Sequence, residues 1–436
     1  MKRLAIFLAA CSLLAISCHP KAGNKQFDPL QVDFTAKYNP VFDGQLYPAL
    51  LLAVNETSSQ SDASMSRSFD LFNLSVTAPV SNSVLRIVID SSSLNYVTII
   101  QEILPTRGER YTFQPSVKWK YDVLRRLRQP GAVDLTFTCY INDEEVDLKN
   151  LHLGYRSVNE CPLSLKATSL QDFKTSSRSD GSVSRCLDVQ KSNIVDFRWL
   201  FAAYVNEDHP QIEQILTEIL EQGNISRITG YQSSGPKAVS DQVFAVWYYA
   251  LDHGISYSSI TCTSNPSPRA NVQHIRFFDE VWQSRQANCV DACVFFASIL
   301  RKMGLKPVIF VEPCHAYLGY YTDRNRKDLA LLETTVTSWV NFPDLERSLD
   351  DEGHLPESKF EHISKYLTEA DIQRWRNGRM TFTELKRLVA RSLFEKATEY
   401  DRETWLANRE HFADPAAITY QQLDIELLRS QVQPIN

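Results

Sequence analysis

The sequence predicts an α+β protein, with a β-rich part preceding a helix-and-sheet part. Period-two apolar segments run through residues 30–157, apolar spacing of three and four begins near Asp196, and short strand-like runs return between Lys306 and Thr335. The chain has 436 residues, 43% hydrophobic and 22% charged, which is ordinary globular composition and enough chain for two or three domains. With 46 Lys and Arg against 52 Asp and Glu, the net charge of −6 argues against a nucleic-acid partner, because phosphate binding needs clustered cations.

Residues 1–17 read as an export signal. Lys2 and Arg3 form a positive start, and Leu4 to Ser17 an apolar stretch too short to span a bilayer. Leu14-Ala15-Ile16-Ser17-Cys18 resembles a bacterial lipobox, which implies lipidation of Cys18 after cleavage. Residues 18–29 are then a polar tether, and the mature protein is expected to be exported and membrane-anchored, on the periplasmic face or the cell surface. No other segment approaches the apolar length of a membrane helix.

Over residues 30–157, seven short strands are expected: Gln31 to Tyr38, Tyr47 to Val54, Asp70 to Ala78, Ser83 to Asp90, Tyr96 to Leu104, Arg110 to Val117 and Ala132 to Ile141. Turn-forming clusters separate them, the pattern of an antiparallel β-sandwich of immunoglobulin-like type. Mixed parity of Val133, Leu135 and Tyr140 predicts that the outer end of the last strand is either bulged or buried on both faces, and Thr57 to Ser68 reads as a loop. No catalytic constellation is visible here, and a scaffold or a ligand-binding surface are both compatible with it.

Helices are expected over Phe197 to Val205, His209 to Gln222 and Asp241 to His253, then a short one at Phe278 to Trp282. The next helix has both ends marked: Asn288 suits the N-cap, Asp291 can close a capping box, and Gly304 suits the left-handed C-terminal position. Cys289 therefore falls in the first turn, where free backbone N–H groups and the helix dipole favour a thiolate. Lys306 to Glu312 and His315 to Tyr321 read as strands broken by Pro313-Cys314, and Leu329 to Thr335 as a third. A hairpin centred near Arg324 sets Glu333 opposite His315, so Glu333 can orient His315 while His315 pairs with Cys289. Singly, each residue has a structural explanation, as a buried thiol, a satisfied strand histidine or a solvated carboxylate; the ordered trio points to nucleophilic catalysis.

The motifs Gln286-Ala-Asn-Cys289-Val-Asp291, Gly304-Leu-Lys-Pro-Val, Cys314-His315-Ala-Tyr-Leu-Gly319 and Leu332-Glu333-Thr334-Thr335 resemble the transglutaminase-like superfamily of papain-like cysteine hydrolases. Gln242 to Tyr257 and Gln273 to Val281 resemble the segments that precede its nucleophile, and Leu393 to Ala397 with Tyr420 to Arg429 resemble a helical tail. The resemblance implies a core of helices plus antiparallel sheet over 195–340 and a helical extension over 341–436. It further implies Cys289 as nucleophile, His315 as base then acid, and Glu333 as orienting acid. Two departures stand out: Ala287-Asn288 precedes the nucleophile, and the acid is Glu where Asp is commoner.

Acyl transfer from a carboxamide or peptide bond of a protein, peptide or cell-wall substrate needs no metal and no organic cofactor. The Cys289 N–H is the natural first oxyanion donor, with Gln283 or Gln273 as alternatives for the second. A catalytically silent binding protein with the same cleft is the alternative function. His274, Asp291 and Glu312 are expected to be structural. Tyr317, Gly319 and Tyr321, on the His315 face, either line the cleft or pack in the core, and Trp339, Trp375 and Trp405 are expected to anchor the extension over the core. Of nine cysteines, Cys11 leaves with the signal and Cys18 is the lipid site. Cys139, Cys161, Cys186 and Cys262 are then available for bridges, Cys293 faces the core, Cys314 points away from His315, and Cys289 is the one left over.

Overall fold

The structure, a computed structural model, describes residues 27–54, 70–166, 173–177, 183–187, 194–232, 235–259, 269–414, 417 and 419–435. The signal segment, Cys18, most of the tether and the loop expected over Thr57 to Ser68 lie outside these residues. The N-terminal part comprises β1 (Phe34–Tyr38), β2 (Gln45–Leu46), α1 (Pro48–Ala53), β3 (Phe72–Thr77), β4 (Ser83–Ile89), β5 (Thr98–Leu104), β6 (Arg110–Phe113), α2 (Tyr121–Leu124), β7 (Gly131–Ile141) and β8 (Glu144–Tyr155). Two sheets result, in strand order β1-β3-β6 and β2-β8-β7-β4-β5. Phe34, Leu74 and Val76 of the first and Leu85, Ile87 and Leu135 of the second are all buried, and the Phe72 ring meets that of Phe137 at 5.4 Å.

Six of the seven expected strands form, and the bulge falls between Cys139 and Tyr140. The segment Tyr47 to Val54 is instead helical. Pro48 sits at a helix start, where its missing N–H costs nothing, and Ala-Leu-Leu-Leu-Ala are good helix formers with no β-branched residue among them. The sheets also contain β8, which the sequence pattern did not mark, and a parallel β2–β8 pair.

The remainder begins with β9 (Glu160–Lys166), β10 (Phe173–Ser177), β11 (Val183–Leu187), β12 (Ile194–Asp196), α3 (Phe201–Tyr204), α4 (Pro210–Glu221), α5 (Pro236–Asp252), β13 (Ser256–Tyr257) and β14 (Ala270–His274). There follow α6 (Phe278–Ser284), β15 (Gln286–Ala287), α7 (Cys289–Lys302), β16 (Pro307–Glu312), β17 (His315–Tyr321) and β18 (Leu329–Leu332). The last part holds α8 (Phe342–Arg347), α9 (Glu357–Ser364), α10 (Glu369–Arg376), α11 (Phe382–Glu399), α12 (Arg402–Ala407), α13 (Arg409–Ala413), β19 (Gln421–Asp424) and α14 (Ile425–Leu428). None of the helices among the described residues is long and apolar enough to cross a membrane. The fold is mixed α+β.

The sheet that carries the site has the order β18-β17-β16-β19. On one face Ile309, Ala316, Leu318, Tyr320 and Leu332 join the main core with the nearly fully buried α7. On the other, Val308, Phe310, Tyr317, Tyr321 and Leu331 pack with Phe412 of α13. Residues 421–424, expected to lie in a helical tail, are thus a strand: Gln-Gln-Leu-Asp pairs antiparallel with β16, whose edge would otherwise expose unpaired backbone groups. Of the three tryptophans expected to anchor the extension, Trp375 is buried against Phe360 and Trp405 half-buried, whereas Trp339 is 37% exposed and meets Tyr400 edge-on.

Candidate active site

Cys289 owes its position to the start of α7. The Asn288 side chain accepts the Asp291 N–H at 2.9 Å, and Asp291 Oδ2 accepts the Asn288 N–H at 3.0 Å, the reciprocal pair of a capping box. Asp291 is fully buried and also accepts the Arg276 N–H and the Arg276 guanidinium, both at 2.8 Å. One carboxylate thereby ties the helix start to the segment after β14. Gly304 ends the helix with φ +78°, the left-handed conformation expected of it. Cys289 is half-buried, whereas Cys293, one turn on, is fully buried and its thiol is pushed up by burial.

His315 opens β17 after the two-residue turn Pro313-Cys314, in which Cys314 takes the left-handed conformation, φ +66°. The β17–β18 hairpin sets Leu318 opposite Leu332, so its centre lies at Asn325, one residue beyond Arg324. Asp323 shifts it: its carboxylate accepts the N–H groups of Asn325, Lys327 and Asp328 and closes a longer turn. Glu333 is therefore diagonal to His315, one residue beyond the strand, and the longer Glu side chain spans the offset. His315 Nε2 and Glu333 Oε2 lie 2.5 Å apart, and Glu333 Oε1 accepts the Thr335 N–H at 2.8 Å. His315 is 4% exposed and Glu333 not at all.

Burial by itself would favour neutral imidazole, but the Glu333 charge and the neighbouring Cys289 sulfur outweigh it and raise His315 to about 10. Burial likewise opposes the Glu333 charge, yet His315, Asp401 and the Thr335 N–H hold it at about 2. His315 Nδ1, the nitrogen left for Cys289, is buried and makes no formed hydrogen bond. The structure thus brings Cys289, His315 and Glu333 together. Neither glutamine considered as oxyanion donor is held at the thiol by a hydrogen bond of its own: the Gln273 amide donates to the His274 carbonyl at 3.0 Å, and Gln283 is exposed on α6. Tyr317, Gly319 and Tyr321 are buried core, not cleft wall; Phe310 stacks on Tyr317 at 5.2 Å.

A further residue enters from the C-terminal region. Asp401, 5% exposed, brings its carboxyl within 4.8 Å of the Glu333 carboxylate and the His315 ring. Burial first, then the Glu333 contact, raises it to about 9. Nothing in the charged run Glu399-Tyr400-Asp401-Arg402 signals this role. Among the described residues, His315, Glu333 and Asp401 are the one group of three spaced as metal ligands would be. The 2.5 Å His315–Glu333 contact is nonetheless a direct hydrogen bond, since two ligands of one tetrahedral zinc stand about 3.3 Å apart.

The cysteines differ from expectation. Cys139, Cys161 and Cys293 are buried and free, Cys289 is half-buried and free, and Cys314 is disulfide-bonded, while Cys262 lies outside the described residues. Cys289 is therefore not singled out as the unpaired cysteine; its helix position and its histidine distinguish it. Asp291 serves structurally as expected, and the backbone carbonyl of His274 accepts from the Asn288 amide at 3.4 Å.

No known protein family matches the chain, and no curated protein matches it. Among solved structures it is similar to a putative protease from Parabacteroides distasonis, at 8% identity and a TM-score of 0.22, over 61% of this chain and 66% of that one. A likeness of that size carries no argument about fold or activity.

Proposed function

We propose that the protein is a transglutaminase-like cysteine enzyme that transfers an acyl group from a carboxamide or peptide bond, in a protein, peptide or cell-wall substrate, to water or to an amine. The observation that carries this reading is the convergence of a helix-start thiol, a buried imidazole and a buried carboxylate, with His315 and Glu333 2.5 Å apart. His315 takes the proton of Cys289, whose sulfur attacks the carbonyl carbon. The oxyanion is met by the Cys289 N–H at the start of α7. His315 then protonates the leaving amine and the acyl group stays on sulfur as a thioester. Water or an amine, deprotonated by the now neutral imidazole, attacks the thioester carbonyl and releases the thiolate. Glu333 keeps Nε2 protonated and turns Nδ1 toward the sulfur.

In this reading the N-terminal β-sandwich is immunoglobulin-like and presents the enzyme at a membrane to which lipidated Cys18 anchors it. Iodoacetamide labelling of Cys289 between about pH 5 and 9 tests the chemistry. The expected result is fast labelling that persists at the acid end and is lost in His315→Ala. An ordinary thiol profile unaffected by His315→Ala overturns it and favours a silent binding protein. Turnover of amide, peptide and cell-wall substrates by wild type and not by Cys289→Ala identifies the substrate class.

A further inference from the structure

We infer that Asp401 is a positioning residue of this site, a protonated carboxylic acid that donates a hydrogen bond to Glu333. The inference rests on the Cys-His-Glu reading above. Its basis is geometric. The Glu333 backbone N–H donates to the Ala397 carbonyl in the last turn of α11 at 2.9 Å, which pins that helix end to the residue it serves. Four residues on, the chain turns into α12 and leaves Asp401 buried within 4.8 Å of both Glu333 and His315. Its Oδ2 is sealed from solvent and, among the described residues, has no donor to accept from. An ionised carboxylate so placed would be unsatisfied, whereas a carboxylic acid has a proton to give.

The surrounding charges select the protonated form. The titratable groups facing Asp401 are Glu333, Glu312 on β16, His315 and Tyr317 on β17, and Cys293 on α7. The one cation among them is His315, and Glu333 already holds it. Arg402, next in the chain, turns outward to Glu399 at 3.0 Å. Two carboxyl groups in contact away from water do not both ionise, and the one bonded to an imidazole and a backbone N–H keeps the charge. Glu333 is then fixed from three directions, by Thr335, His315 and Asp401. The C-terminal region therefore contributes to the site itself.

The test compares full-length wild type, Asp401→Asn, which keeps a donor of the same size, and Asp401→Leu, which fills the space without one. Leu is expected to slow native-state alkylation of Cys289 about tenfold, the loss of one hydrogen bond to a charged group, and to alter its pH profile, with Asn restoring most of the rate. Wild type at pH 7 should also show the infrared carbonyl band of a buried carboxylic acid, absent from Asp401→Asn; this readout holds even where the Leu variant fails to fold. Absence of that band, or a Leu variant with the wild-type profile, overturns the inference while the triad stands, provided His315→Ala still abolishes labelling. Tight stoichiometric Zn²⁺ binding lost in Asp401→Asn overturns it in favour of an ion. Insensitivity of labelling to His315→Ala removes the triad and the inference together.

Discussion

Asp291→Ala is the sharpest test of how Cys289 is held. The fully buried carboxylate accepts three hydrogen bonds, from the Asn288 N–H at 3.0 Å and from the N–H and guanidinium of Arg276 at 2.8 Å each. Truncation removes all three and leaves Arg276, 11% exposed at its side chain, without its buried carboxylate. Breaking a buried pair by deleting one partner costs about 3–5 kcal/mol, and the lost cap contributes about 1 kcal/mol of that scale. Urea unfolding should show the midpoint falling accordingly with an unchanged slope. Asp291→Asn retains an acceptor for one backbone N–H and should lose less. Cys289 alkylation under native conditions should slow in both, in the same order. A stability loss below about 1 kcal/mol for the alanine variant would show that the carboxylate does not hold the helix start, since that is no more than one ordinary hydrogen bond.

Glu333→Gln should cost stability in a pH-dependent way. The raised His315 contributes fully below its unfolded value near 6.5 and loses this as pH rises toward about 10, while the lowered Glu333 contributes above about 4.5 and loses this as pH falls toward about 2. The gap between wild type and variant, read from urea midpoints, should therefore be widest between about pH 4.5 and 6.5 and narrower near pH 9.5; an equal gap at both contradicts the ion pair. Gly319→Ala places a methyl 2.7 Å from the Phe310 ring and 3.2 Å from the Ala330 carbonyl, within the β17 core. A loss of about 1–3 kcal/mol is expected in thermal unfolding, and a neutral result would mean the sheet face is loosely packed.

What was legible in the sequence was what short-range chemistry decides. Asn288, Asp291 and Gly304 mark both ends of α7 within one stretch of chain, so the place of Cys289 followed from local signals. The His315–Glu333 contact was legible as a pairing but not in its register, because the turn that sets the register depends on one carboxylate, Asp323, gathering three N–H groups. Tyr47 to Val54 carries both signals, a continuous apolar pattern that suits a strand and a Pro48 with a leucine-alanine run that suits a helix, and the helix propensity prevails. Asp401 and β19 were beyond such reading, since each acquires its role only when the C-terminal chain returns to the sheet. Both returns converge on the same hairpin: β19 closes the free edge of β16, and the α11 end carries Asp401 to Glu333. A chain ending before Asp401 would keep Cys289, His315 and Glu333 and every motif around them, yet leave one strand edge open and Glu333 without the Asp401 carboxyl beside it. The extension is on these grounds a structural part of the site, and its boundary with the core is one of sequence pattern alone.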